Sequence, residues 1–451
     1  MFKNILVGVA IICAPLANAA TSTSPDMLEK AIQFPVEKYQ LSNGLTVVLH
    51  RDPSIPSVSF QTWFNVGSKD EVEGRTGLAH FFEHMMFKGT KKFPADTWGK
   101  RLKSMGADLN AGTSTDYTNY YINAPSEHLE FLMQVESDRM RNLSLNPNDV
   151  LSEREVVKEE RRSNYDDSIE GGIREKLAGI MFKELPYKWL TIGSIADLNA
   201  ASMDDLHKFY KSFYSPNNAI LVIAGNIDLA QTKKLVEKYY AGLPREEIQR
   251  PEIKKEPEQT TERWATIERE AQAPTLAVGY RLPDVRHPDH YALDLLSIAL
   301  GEGESSRLYR QLVYKSEIAT GASAFSYGES LAGRFGLHVG LKPGVAPDQA
   351  LALLEGEVKK LRDKKITQKE LEKARNQLMK GLVDRLKRVH GKANMLAMHE
   401  ILFSDYQRLF SDLKEYNKVT VDDIQRVART YLQPIKRNIV IVKPRKEGPT
   451  T

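Results

Sequence analysis

Apolar and polar residues alternate from Tyr39-Gln40-Leu41, break at Asn43-Gly44, and resume through Leu45-Thr46-Val47-Val48-Leu49. A period of two interrupted by a turn dipeptide predicts a β-hairpin. The period then changes. Through Gly77-Leu78-Ala79-His80-Phe81-Phe82-Glu83-His84-Met85-Met86-Phe87 the apolar residues recur at the spacing of a helix with one buried stripe. Asn110 to Tyr121 reads as a loop entering a strand, with Tyr117, Asn119 and Tyr121 on one side and Thr118 and Tyr120 on the other. Helical spacing returns from Leu151 to Glu160. There Glu153 and Glu160, seven positions apart, share a face with Val156 and Val157 that should turn inward, while Glu155 and Glu159 belong to solvent.

Two stretches repeat one another. Ser202-Met203-Asp204-Asp205 opens a helical pattern that ends before Pro216 and passes into the apolar run Ala219 to Ala224; Thr420-Val421-Asp422-Asp423 does the same before Pro434 and Ile439 to Val442. In both, a hydroxyl residue stands three places before an aspartate, as in a capping box, and the proline falls fourteen residues after the cap. The same helix, proline and strand closing each half predicts a duplicated unit. Between the copies, Pro244 to Arg263 holds three prolines, many charges and almost nothing a core could use. The expected organisation is a first half over residues 34–245, a linker over 246–262 and a second half over 263–447. Strands and helices alternate without a regular β-α-β beat. The predicted class is therefore α+β, two homologous halves that are each a mostly antiparallel sheet with helices packed on one face.

Charge removes one class of partner. The chain has 451 residues and a net charge of +4 left from 63 basic and 59 acidic residues, so no strong field draws in nucleic acid. The basic run Lys91 to Lys103 reads as a solvated face, and Gly301-Glu302-Gly303-Glu304 lacks the lysine of a phosphate loop. The N-terminus adds a destination. Lys3, the apolar Ile5 to Leu16 and Ala17-Asn18-Ala19 make residues 1–19 a signal peptide, which implies a periplasmic protein, or a secreted one where there is no outer membrane. Ile5 to Leu16 is shorter than the roughly 20 residues a spanning helix needs, and no second candidate follows. Cys13, the sole cysteine, lies in that segment, and Ala10-Ile11-Ile12 does not suit lipidation, so the mature chain has no thiol for disulfides, thiolate ligands or cysteine catalysis.

The chemistry concentrates at residues 80–84. His80 and His84, one helical turn apart, can grip a single metal ion, and Glu83 beside them can reach its water without being a ligand: this is the inverted zincin pattern His-x-x-Glu-His. Catalytic zinc needs three protein ligands and an open position, and the Glu153 to Glu160 face offers the third as a carboxylate. Two imidazoles and a carboxylate suit Zn2+.

With Glu160 seventy-six positions beyond His84, with Asn110-Ala111-Gly112-Thr113-Ser114 followed by Tyr117-Thr118-Asn119-Tyr120-Tyr121, and with Ser306-Arg307-Leu308, the chain resembles the pitrilysin family of zinc metallopeptidases over residues 34–445. The resemblance implies that His80, His84 and Glu160 bind one zinc ion, that Glu83 is the general base and that Glu153 is a carboxylate supporting the site. It further implies that Asn110, Ala111, Gly112 and Thr113 lie on an edge strand that takes an extended peptide. The second half departs: its corresponding helix, Tyr291 to Leu300, has no such motif, and the places where relatives carry a substrate-holding arginine and tyrosine fall on Val313 and Thr320. Arg307, Tyr309, Arg310 and Tyr314 are the substitutes nearby. The implied partner is a homologous subunit that supplies the missing pair, with a homodimer or self-sufficiency as the alternatives. The expected activity is hydrolysis of peptides or unfolded protein segments. The alternatives are a catalytically silent peptide-binding or scaffold subunit and a zinc store, and a chain that keeps all of His80, Glu83, His84 and Glu160 speaks against both.

Overall fold

A computed structural model describes residues 32–445. The signal segment with Cys13, and positions 446 and 447 at the expected end of the second half, lie outside the described residues. Strands β1 (Glu37–Gln40), β2 (Thr46–Arg51), β3 (Ser57–Phe64), β4 (Asp108–Thr113), β5 (Thr118–Pro125) and β6 (Ala219–Gly225) form one sheet in the order β1-β2-β6-β3-β5-β4. Strands β7 (Arg263–Arg269), β8 (Thr275–Leu282), β9 (Ala319–Tyr327), β10 (Gly333–Leu341) and β11 (Asn438–Pro444) form the other, β7-β11-β8-β10-β9. One pair in each sheet is parallel, β2 with β6 and β7 with β11; the rest are antiparallel. Setting β2, β6, β3, β5 and β4 against β7, β11, β8, β10 and β9 superposes the two topologies strand for strand.

The helices that matter for the site are α1 (Leu78–Met85), α2 (Pro147–Arg161), α3 (Ile169–Met181), α4 (Met203–Phe213), α5 (Asp289–Gly301), α6 (Gln368–Leu386), α7 (Val389–Phe403) and α8 (Val421–Tyr431). The repeated closing element is present in both halves. Ser202 caps α4 and Thr420 caps α8 through reciprocal bonds with Asp205 and Asp423, a 3-10 turn follows at Pro216 and at Pro434, and the chain then enters β6 or β11. Residues 244–262 run without helix or strand. They are nonetheless fixed: Arg250 pairs with Asp70, and the Glu256 carboxylate receives the amides of Lys183, Glu184 and Leu185.

Each half packs its own helices on one face of its sheet, as expected. The opposite face is covered too, by the other half. Val48, Trp63, Val222 and Ala224 of the first sheet pack against Leu386, Val389, Ala393, Leu396 and Ala397 of α6 and α7. In return Ile173 of α3 packs on Ile267, Ala277, Val440 and Val442 of the second sheet. Burial on both faces is why β6 reads as an unbroken apolar run and why Val47, Val48 and Leu49 follow one another in β2 where a one-sided strand would alternate. Among the described residues no helix is long and apolar enough to cross a membrane.

Candidate metal and active site

Helix α1 starts abruptly. Gly77 stands at φ +92°, and a Cβ there would lie 2.5 Å from the Ile192 carbonyl oxygen, so the turn into the helix needs glycine. The buried carboxylate of Glu71 receives the amides of Gly77 (2.9 Å) and Ala79 (2.8 Å), a negative charge at the end of the helix that favours it. Burial pushes the Glu71 pKa well up, and those two amides oppose the shift. Leu78, Ala79, Phe81, Phe82 and Met85 are buried, with Phe82 stacked on Phe209 at 5.4 Å. That anchoring leaves His80, Glu83 and His84 on the opposite, half-buried face.

Helix α2 faces them, started by the Asn146 side chain on the amide of Asn148. Its buried stripe runs through Val150, Glu153, Val157 and Arg161. The expectation that Val156 turns inward is not met: Val157 is fully buried, whereas Val156 is 49% exposed. With each residue rotating about 100°, a stripe centred on Val150 and Val157 places Glu160 at its border and Val156 beyond it. Glu155 and Glu159 are exposed, as expected.

The two helices bring three side chains together. His84 Nε2 lies 3.2 Å from Glu160 Oε2 and His80 Nε2 lies 3.7 Å from Glu160 Oε1. Ligands bonded to one tetrahedral zinc ion at about 2.0–2.1 Å would stand about 3.3 Å apart, so the donor set has the size for that ion. Their ligand atoms lie within 4.8 Å of one another, and among the described residues this is the one such group. The other nitrogen of His84, Nδ1, is 2.9 Å from Glu153 Oε1, and Glu153 is paired with Lys88. A ligand imidazole oriented by a carboxylate behind it is the usual support of a zinc site.

The electrostatics agree with this arrangement. Burial, with the charge of His84 adding to it, lowers the His80 pKa to about 4, so its imidazole is neutral and able to coordinate. For His84 burial acts downward, but bonds to Glu153 and Glu160 outweigh it and raise the pKa to about 9. Two carboxylates facing one imidazole thus favour a positive charge between them. The bond with His84 holds Glu153 down at about 2 and also depresses Glu160. Burial raises Glu83 above the usual carboxylate range, and the Thr113 hydroxyl, 2.6 Å from its Oε2, opposes that rise.

Strand β4 ends the first sheet, hydrogen-bonded to β5 on one side and to no strand on the other among the described residues. Asn110 to Thr113 are thus on an edge strand, as the resemblance implies, and the loop that the residues alone suggest at the start of Asn110 to Tyr121 is instead a turn at Ser114 to Tyr117 between two strands. Asn-Ala-Gly has little strand propensity of its own, and the ladder to Thr118–Tyr121 imposes the conformation. Asn110 is exposed and Ala111 and Gly112 half-buried along the edge. Thr113 alone of the four reaches Glu83. The turn is tied to the second half, since Asp116 accepts the amide of Ser330 (2.8 Å) and Thr115 donates to Glu329 (2.6 Å), while the first half's Tyr187 also donates its hydroxyl to Asp116 (2.8 Å).

The sequence reading passed over Glu71 and Lys88, which sit in ordinary charged runs and declare themselves only once α1 and α2 are placed. In the second half Val313 lies in the π-helical turn Tyr309–Lys315, and Thr320 on β9 donates to the Gly340 carbonyl. Arg307 is engaged by both oxygens of Glu370 at 2.8 and 3.0 Å, while Arg310 and Tyr314 are exposed.

Comparisons with known proteins also divide the chain in two, with the boundary just before α4. Residues 46–193 match the family Insulinase (Peptidase family M16), and residues 200–378 match the Peptidase M16 inactive domain. The zinc protease PqqE of Helicobacter pylori is 32% identical over 424 residues, covering 90% of this chain and 93% of that protein. The mitochondrial-processing peptidase subunit beta of Lentinula edodes is 27% identical over 405 residues, covering 87% and 86%. A crystal structure of a protease from Helicobacter pylori superposes with a TM-score of 0.87 at 30% identity, covering 91% of this chain and 100% of the other.

Proposed function

This chain belongs to the pitrilysin (M16) family of peptidases, and we propose that it is a zinc-dependent endopeptidase acting on peptides or unfolded protein segments. The observation that carries this reading is the convergence of His80 Nε2 and His84 Nε2 on the Glu160 carboxylate with Glu83 on the same helix face. His80, His84 and Glu160 would hold the ion, and Glu153 would keep His84 turned toward it. Zinc bound there supplies a lowered water pKa and a positive charge for the oxygen of the scissile carbonyl. Glu83 takes the proton of the attacking water and delivers it to the departing amine; its raised pKa suits it to both steps. Asn110, Ala111 and Gly112 on the free edge of β4 take the substrate as an added strand through main-chain bonds, which tolerates many sequences.

The four residues kept in the first half weigh against a silent scaffold, and the match to an inactive domain, over residues 200–378, includes none of them. In that half no arginine and tyrosine stand at positions 313 and 320. A homologous partner subunit is therefore proposed to complete the site, a reading supported by the likeness to a protein named as one subunit of a peptidase; a homodimer is the alternative. Residues 1–19 are proposed to direct export to the periplasm, leaving a peptidase half at 34–245, a linker at 246–262 and a second half at 263–447. The test is a quenched peptide incubated with the purified mature chain, alone and with candidate partners. The expected result is one zinc per chain, loss of hydrolysis on chelation and its return with zinc. Hydrolysis that persists after the metal is removed would overturn the assignment.

A further inference from the structure

We infer that Thr113 is the positioning residue that aims Glu83, and that it does so from the strand proposed to receive the peptide. The inference rests on the reading of Glu83 as the base. The side-chain hydrogen bond to the Glu83 carboxylate comes from Thr113, whose Oγ1 donates to Oε2 at 2.6 Å, and the backbone of the same residue also acts on that carboxylate. With Oε2 held, Oε1 is the oxygen free to take a proton.

Both ends of this bond are fixed. Glu83 stands on a helix whose start is pinned by Gly77 and Glu71. Thr113 is the last residue of β4, opposite the buried Thr118, whose hydroxyl donates to the Val66 carbonyl at 2.9 Å. The turn beyond it is closed by the Ser114 hydroxyl, which accepts the amides of Asp116 (3.1 Å) and Tyr117 (3.0 Å), and Asp116 is bonded to the second half. A β-branched side chain on such a backbone has little rotational freedom. A long glutamate would otherwise sample several rotamers, and Thr113 selects one of them. Because side chains alternate along a strand, Thr113 and Ala111 share one side of β4 and Asn110 and Gly112 the other. Thr113 therefore works on the base while its neighbours remain available to the peptide. Docking a peptide on β4 and aiming Glu83 are then properties of one rigid element.

The test compares Thr113→Val, which keeps the shape and removes the hydroxyl, with Thr113→Ser, which keeps the hydroxyl. Misorienting a base costs about 10–100-fold in rate. T113V should lower kcat by about that factor with KM and zinc affinity within about twofold of wild type, while T113S stays within about threefold on kcat. Equal impairment of both variants, an unchanged kcat in T113V, or a loss explained by KM or zinc would overturn the inference. Glu83→Gln separates the two readings: if it leaves hydrolysis intact the base assignment fails, and if it abolishes hydrolysis while T113V is silent only the role of Thr113 fails. Crystal structures of the zinc-loaded proteins give a readout independent of turnover. Glu83 should hold one orientation in wild type and lose it in T113V; the same orientation in both would overturn the inference.

Discussion

The two halves follow one topology and treat the same helix in opposite ways. In the first, α1 buries one apolar stripe and leaves His80, Glu83 and His84 half-exposed beside a free strand edge. In the second, α5 follows β8 as α1 follows β3, but Leu293, Leu295, Leu296, Ile298 and Leu300 bury it on nearly every side. Both of its carboxylates are engaged: Asp289 pairs with Arg426 and accepts the hydroxyl of Tyr431 (2.7 Å), and Asp294 accepts the hydroxyl of Tyr416 (2.7 Å), with burial, partly offset by that bond, raising the Asp294 pKa. The scaffold has been kept twice and the open polar face once. A metal-ready site needs residues that the fold can afford to leave incompletely buried, and only α1 retains them.

The sharpest way to break this contrast is to disable each helix in turn. Glu83→Gln should cost about 10³-fold in kcat while zinc stays bound, whereas Ser297→Ala on α5 should leave kcat within about twofold. Comparable losses from both would mean that the second half takes part in the chemistry. The next test concerns the exchanged covers. Leu396→Ala in α7 and Ile173→Ala in α3 should each destabilise the chain by about 2–5 kcal/mol in urea unfolding, because each removes a buried side chain from the contact between halves. A neutral result for one would show that its cover is dispensable.

Smaller effects probe the repeat itself. Ser202→Ala and Thr420→Ala should each cost about 1 kcal/mol, and equally, since both break the same capping box. The smallest is a pH effect on the contact between the first sheet and α7. For Asp52 burial acts upward, but the bond to Lys392 (2.6 Å) and those from Ser54 outweigh it and hold the pKa at about 2 instead of 3.8. A depressed folded-state pKa means that the pair's stabilisation is complete above pH 3.8 and disappears as pH falls through about 2. Asp52→Asn should remove that part of the acid sensitivity in unfolding measured across this window, a difference on the order of 1 kcal/mol or less because the pair is partly screened.

Much of this could be read from the chain because local rules governed it. The Asn43-Gly44 turn, the caps at Ser202 and Thr420, and the spacing of His80, Glu83 and His84 are all set within a few residues. What could not be read depended on partners distant in sequence. Val156 was misplaced because the rotation of α2 is fixed by what packs on Val150 and Val157. The strand at Asn110 to Thr113 was reached through the family resemblance and not from its own residues, whose conformation is imposed by pairing with β5. Glu71 and Thr113 were recognisable as a cap and as a bond to Glu83 only after α1 had a position. The cover of each sheet by the opposite half left no mark in sequence beyond apolar runs longer than a one-sided sheet requires.

That reciprocal cover has a consequence for dividing the chain. Neither copy is a finished object: a gene cut between α4 and β7 would yield two fragments, each with a bare oily surface shaped for its lost sibling. Recovering the structure from such fragments would therefore require both together, since each supplies the helices that close the other's sheet.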